Sequence, residues 1–186
     1  VQGYAIGSAC YTRLGAAHAG LLAHVGKGMS VAFADFDHDA RLDMFVTNDA
    51  VPNFLFRNNG DGTFAETALI AGVSVPDAGK PISSMGTDAQ DYDNDGWEDI
   101  HLTALAGETL PLFRNESAIG RGAARVPTPP ERAAARGHLG PFVDATQSSG
   151  LARLTVRSSG WCSIVADIDN DGWKDIFTAN SHVNDR

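Results

Sequence analysis

Apolar residues fall in short runs along this chain, and the most regular runs flank an acidic loop. Ser30-Val31-Ala32-Phe33-Ala34 leads into residues 35–43 and Met44-Phe45-Val46-Thr47 leads out. Ser163-Ile164-Val165-Ala166 leads into residues 167–175 and Ile176-Phe177-Thr178 leads out, while the middle loop, 91–99, is left through Ile100-His101-Leu102-Thr103. Runs this short, rich in branched and aromatic residues, predict strands. A third strand is expected at Asn53-Phe54-Leu55-Phe56-Arg57-Asn58 and again at Leu110-Pro111-Leu112-Phe113-Arg114-Asn115. In the first unit Asn59-Gly60-Asp61-Gly62 is a strong hairpin turn, so Thr63-Phe64-Ala65-Glu66 returns as a fourth strand. A Gly-hydrophobic pair marks each unit, at Gly20-Leu21, Gly72-Val73 and Gly150-Leu151.

The spacing of the units is unequal. Asp35 to Asp91 spans 56 residues and Asp91 to Asp167 spans 76; Asn58 to Phe64 spans 6, whereas Asn115 to Phe142 spans 27. The excess therefore lies at one hairpin tip, over residues 116–140, with Phe142-Val143-Asp144-Ala145 as the delayed fourth strand. The insertion carries Arg121, Arg125, Arg132 and Arg136, with a short helix expected over 130–136, and reads as a tolerated surface loop. Four strands per unit predict an all-β fold, a partial β-propeller of four-stranded antiparallel blades. The whole of 1–186 forms one such domain, with repeat units at about 11–63, 64–141 and an incomplete 142–186. That amounts to about two and a half to three blades, too few to close a ring, so further blades of the same parent chain are expected as its partners.

Charge changes this picture most. Each loop carries Asp at positions 1, 3, 5 and 9, and these positions hold twelve of the 23 acidic residues. Four carboxylates within nine residues repel one another unless a cation or open solvent relieves them. Hard oxygen ligands in a tight loop, three carboxylates plus a backbone carbonyl at position 7 and a final acid, suit calcium better than zinc or copper. Three bound dications would bring the net charge of −9 to −3. An EF-hand needs an acid at position 12, where Val46, Leu102 and Thr178 stand instead.

Asp-x-Asp-x-Asp-Gly-x-x-Asp before a β-run, together with Phe-Arg-Asn-Asn-Gly-Asp-Gly-Thr-Phe between loops, resembles the FG-GAP/VCBS-type propeller repeats, and more narrowly the ASPIC/UnbV family. That resemblance implies a calcium-binding propeller of about seven blades, exported from the cell and used for adhesion or protein contact. Carried over by position, it implies as ligands Asp91, Asp93, Asp95 and Asp99 with the carbonyl of Trp97, and Asp167, Asp169, Asp171 and Asp175 with the carbonyl of Trp173. The first loop offers Asp35, Asp37, Asp39 and Asp43 with the carbonyl of Arg41, but Ala40 replaces the glycine, so its affinity is expected to be the lowest of the three. The two Trp indoles are expected to pack between blades.

The acidic balance argues against nucleic acid, and no apolar run approaches a membrane-spanning helix. Cys10 and Cys162 could form one disulfide, with two buried free thiols as the blander reading. No His set has zinc spacing, Asn115-Glu116-Ser117 is a formal glycosylation sequon, and no nucleophile elbow or phosphate loop is present. The function expected is therefore non-enzymatic: a calcium-stabilised module contacting protein or glycan outside the cell, in the periplasm or at the cell surface, its signal peptide outside this sequence. The alternative is a non-catalytic or substrate-binding part of a larger secreted enzyme that processes polysaccharide.

Overall fold

In the computed structural model, residues 3–6, 9–117 and 140–181 are described, with side chains from 17 onward and at 15. The strands are β1 (Gly3–Ile6), β2 (Ala9–Thr12), β3 (Gly28–Ala34), β4 (Asp43–Asn48), β5 (Phe54–Asn58), β6 (Phe64–Glu66), β7 (Thr87–Gln90), β8 (Asp99–Leu102), β9 (Leu112–Asn115), β10 (Phe142–Asp144), β11 (Gly160–Ala166) and β12 (Asp175–Asn180). They form two four-stranded antiparallel meanders, β3-β4-β5-β6 and β7-β8-β9-β10, and two hairpins, β1-β2 and β11-β12. The first strands of successive sheets, β3, β7 and β11, lie side by side, as they do around the axis of a propeller. The fold is thus a partial propeller of antiparallel blades, and each acidic loop joins the first strand of a sheet to its second.

The strand registers confirm the repeat and refine it. Ala34 pairs with Asp43, Gln90 with Asp99 and Ala166 with Asp175, so every loop is clamped at the same rung. A bulge interrupts both β3, between Gly28 and Ser30, and β11, between Gly160 and Cys162. The two serines of the leading runs are not equivalent: Ser30 pairs with Thr47, whereas Cys162 occupies that place opposite Ala179 and Ser163 sits one rung further on. Phe64 pairs with Asn58 and Phe142 with Asn115, which puts the insertion at the tip of the second blade's outer hairpin. Its interior, including the short helix expected over 130–136, lies outside the described residues.

Alternation along the strands builds the core between sheets. Ala32, Ala34, Phe36, Phe45 and Leu55 of the first sheet meet Ala89, Ile100, Leu102, Phe113 and Phe142 of the second. Each large aromatic buried here contributes about 2–3 kcal/mol. Phe36, from loop position 2, meets the Phe142 ring edge-on at 5.8 Å. The opposite face of the first sheet, with Met44, Val46 and Phe56, is covered by Ala19 and Leu21.

The Gly-hydrophobic pairs sit in the connections between blades. A one-turn helix, Ala68–Ala71, ends at Gly72 with φ 86°, and a Cβ there would lie 2.9 Å from the Phe142 carbonyl oxygen. Only glycine allows both the left-handed turn and that approach to the next sheet's fourth strand.

The third sheet packs on the second through a polar seam. His101 occupies the place that Phe45 holds in the first sheet, and its Nδ1 lies 2.6 Å from Ser163 Oγ. Burial pushes its pKa down to about 4, so the ring is neutral. Val165 N donates to Asp88 Oδ2 at 2.7 Å across the same seam. The thiol of Cys162 is free and exposed, contrary to the reading of two buried thiols, because its position on β11 faces away from the second sheet.

Candidate metal centres

All three acidic loops are wired alike. The position-1 carboxylate accepts the amides of positions 5 and 6: Asp35 from Asp39 and Ala40 at 2.9 and 2.8 Å, Asp91 from Asp95 and Gly96 at 3.0 and 2.7 Å, Asp167 from Asp171 and Gly172 at 3.1 and 3.0 Å. The position-5 carboxylate accepts the amide of position 7, Arg41, Trp97 or Trp173, at 2.8–2.9 Å. Position 9 reaches back to the amide of position 2: Asp43 to Phe36, Asp99 to Tyr92, Asp175 to Ile168. These are Asx-type bonds made by short side chains to nearby amides, which explains why aspartate rather than glutamate recurs.

Two positions of each loop are left-handed. Position 4 has φ 55° at His38, 58° at Asn94 and 61° at Asn170; position 6 has φ 69° at Ala40 against 89° at Gly96 and 91° at Gly172. Ala40 thus adopts the conformation its Cβ resists, and the loop keeps its shape despite the substitution.

In the second and third loops the carboxylates of positions 1, 3 and 9 converge, Asp91, Asp93 and Asp99 in one and Asp167, Asp169 and Asp175 in the other, each set offering oxygens within 4.8 Å of one another. Three such oxygens are a hard-ligand cradle that fits a calcium ion. Asp95 and Asp171 turn one oxygen to the loop's own amide. The position-9 acid also accepts from the third strand: Asn115 N donates to Asp99 at 2.7 Å, and Asn58 N to Asp43 at 2.8 Å. Burial pushes Asp99 up to about 9 and Asp43 up to about 7, against the lowering effect of those amides; Asp93 is also raised, by burial first. A buried carboxylate that resists ionisation is one that a dication would stabilise.

The first loop gathers a different set, Asp35, Asp37 and Asp39. Two guanidiniums reach it. Arg57 Nε donates to Asp37 Oδ2 at 2.6 Å and its Nη2 to Asp39 Oδ2 at 3.4 Å; Arg41 pairs with Asp39 and donates to the Asn58 carbonyl at 3.1 Å. Among the described residues no such cation pairs with Asp91, Asp93 or Asp99, nor with Asp167, Asp169 or Asp175. The signal for this contrast was Arg41 in the sequence; the part played by Arg57 could be found only from the pairing of β5 with β4.

Successive loops are laced together. His38 stacks on Trp97 with ring centroids 4.1 Å apart and lies 2.9 Å from Glu98, and Asn94 donates to the Gly172 carbonyl at 2.9 Å. Trp97 is therefore buried between blades as expected. Trp173 is 60% exposed, which corrects that expectation for the third loop: Asn94, where the first loop has His38, offers no ring to stack on. Asn115 Nδ2 donates to the carbonyls of Phe36 and Glu98, bridging two loops while fully buried, so the sequon asparagine is committed to the fold.

Antiparallel blades packed face to face, each with an aspartate loop between its first two strands, define an acidic-loop propeller repeat. Residues 35–102 match the family of FG-GAP-like repeats. It is similar to cartilage acidic protein 1, being 38% identical to the human protein over 85 residues and 38% identical to the Xenopus tropicalis protein over 86 residues. Each match covers 46% of this chain but 12% of the relative, so the chain corresponds to a small part of those proteins.

Proposed function

We propose that this chain is a non-enzymatic, calcium-stabilised propeller segment of an exported or cell-surface protein, working through protein or glycan contact. The observation that supports it is the convergence of three carboxylates in the second and third loops, in identical wiring, with no salt bridge to any of the six among the described residues. There the ion would be held by Asp91, Asp93 and Asp99 and by Asp167, Asp169 and Asp175, with Asp95, Asp171 and the carbonyls of Trp97 and Trp173 completing the set. The first loop, with Asp35, Asp37, Asp39, Asp43 and the Arg41 carbonyl, is the weakest of the three. The ion's role is structural: it relieves carboxylate repulsion and ties the first two strands of a blade to each other. Extracellular calcium modules bind with dissociation constants of about 0.1 to 1 mM, which suits a calcium-rich exterior. The similarity to cartilage acidic protein 1 and the absence of any membrane-crossing helix among the described residues are compatible with that location.

Calorimetric titration with calcium and thermal melts in chelator test the reading. At a hundredfold excess over the dissociation constant each ion adds about 2.7 kcal/mol, so two ions raise the melting temperature by about 10 °C or more. Identical melts in calcium and in chelator would falsify it.

A further inference from the structure

The first and second loops differ in where one guanidinium goes. Arg57 and Arg114 occupy the same place, each preceding the asparagine whose amide binds the position-9 acid. The residue after that asparagine is also equivalent, because Asn59 N donates to Thr63 O and Glu116 N to Pro141 O, both at 3.0 Å, at the start of the outer hairpin's return. In the second blade Arg114 pairs with Glu116, whose carboxyl is fully buried. In the first blade Asn59 is exposed and uncharged, and Arg57 reaches instead over the loop to Asp37 and Asp39. Arg41 joins it there, its side chain lying against the turn at Gly60, where a Cβ would sit 3.0 Å from Arg41 Cδ.

We propose that Arg57, supported by Arg41, is the resident counter-cation of the first loop, and that Glu116, by pairing with Arg114, keeps that guanidinium out of direct contact with the three converging carboxylates of the second loop. Asp37 is fully buried and Asp39 nearly so, and buried carboxylates demand a partner cation. A guanidinium fixed on the adjacent strand provides one at no cost in association, so calcium must displace it to bind. The first loop therefore keeps its shape without calcium and takes the ion weakly, whereas the second and third depend on it. This rests on the calcium reading of those two loops.

The test counts bound calcium on the full chain by equilibrium dialysis and melts the same proteins in chelator. Wild type is expected to bind two ions tightly. Asn59→Glu, at an exposed turn, should capture Arg57 and raise the count to three, or strengthen the third site tenfold or more; Glu116→Gln should release Arg114 and weaken the second-loop site tenfold or more. Arg57→Gln should melt lower than wild type in chelator and recover in calcium. Three equivalent ions in wild type, or in Asn59→Glu an unchanged count with no strengthening of the third site, overturns the proposal. If no variant binds calcium, the calcium reading of the loops is lost and the chelator melt decides this proposal alone: a lower melt for Arg57→Gln upholds the counter-cation, and an unchanged melt overturns it.

Discussion

The first and second acidic loops share the carboxylate–amide bonds that shape them and differ in what balances their charge. In one, Arg57 and Arg41 form ion pairs with the carboxylates; in the other, Asp91, Asp93 and Asp99 face each other while Arg114 makes its ion pair with Glu116 and acts on Asp93 only through space. Loop shape and loop occupancy are therefore separable properties. The Asx bonds set the shape locally, and a residue on a neighbouring strand sets the electrostatics.

Substituting the position-9 acid tests the shared part most severely. Asp43 and Asp99 each accept one amide from their own loop and one from the third strand. Asp43→Ala and Asp99→Ala should each cost about 3 kcal/mol in chelator, by stranding two amides. In calcium the two should diverge in a denaturant titration, because only Asp99→Ala also forfeits a tightly bound ion. Equal behaviour in calcium would erase the contrast between the loops.

The pH dependence of the calcium-free protein comes next. Burial raises Asp43 to about 7 and Asp99 to about 9, so the folded state holds protons that the unfolded chain releases near pH 4. The stability of the calcium-free fold should accordingly fall as pH rises from about 4, through about 7 for Asp43 and about 9 for Asp99, by at most about 1.4 kcal/mol per pH unit for each carboxyl. Calcium should flatten the upper part of that slope and release a proton on binding, measurable by calorimetry in buffers of different ionisation enthalpy. A stability rising between pH 6 and 8 in chelator would contradict the burial argument.

Smaller effects probe the lacing and the strained turn. His38→Ala removes the ring stacked on Trp97 and should cost about 1 kcal/mol, while Asn94→Ala, at the equivalent place facing an exposed Trp173, should cost less. Ala40→Gly relieves a left-handed alanine and should stabilise the chain by about 1 kcal/mol in chelator, with a modest gain in calcium affinity at the first loop. If the melting temperature and the affinity both stay put, the strain at Ala40 is absorbed elsewhere.

Much of this molecule is written locally. The loops close through bonds spanning two to seven residues, so their conformation follows from Asp at positions 1, 3, 5 and 9 and a left-handed residue at position 6; the runs on either side pair at a fixed rung because the loop length fixes it. The strand order and the insertion point were legible for that reason, as was the clustering of three aspartates in each loop. What the sequence left open is long-range. Arg57 lies 20 residues from Asp37, His38 meets Glu98 60 residues on, and Asn115 bonds a carbonyl 79 residues back. Likewise, whether a Trp at position 7 is buried depends on the residue the preceding blade sets against it. Local chemistry made the loops, and only the packing of strand on strand and blade on blade decided which of them a guanidinium reaches.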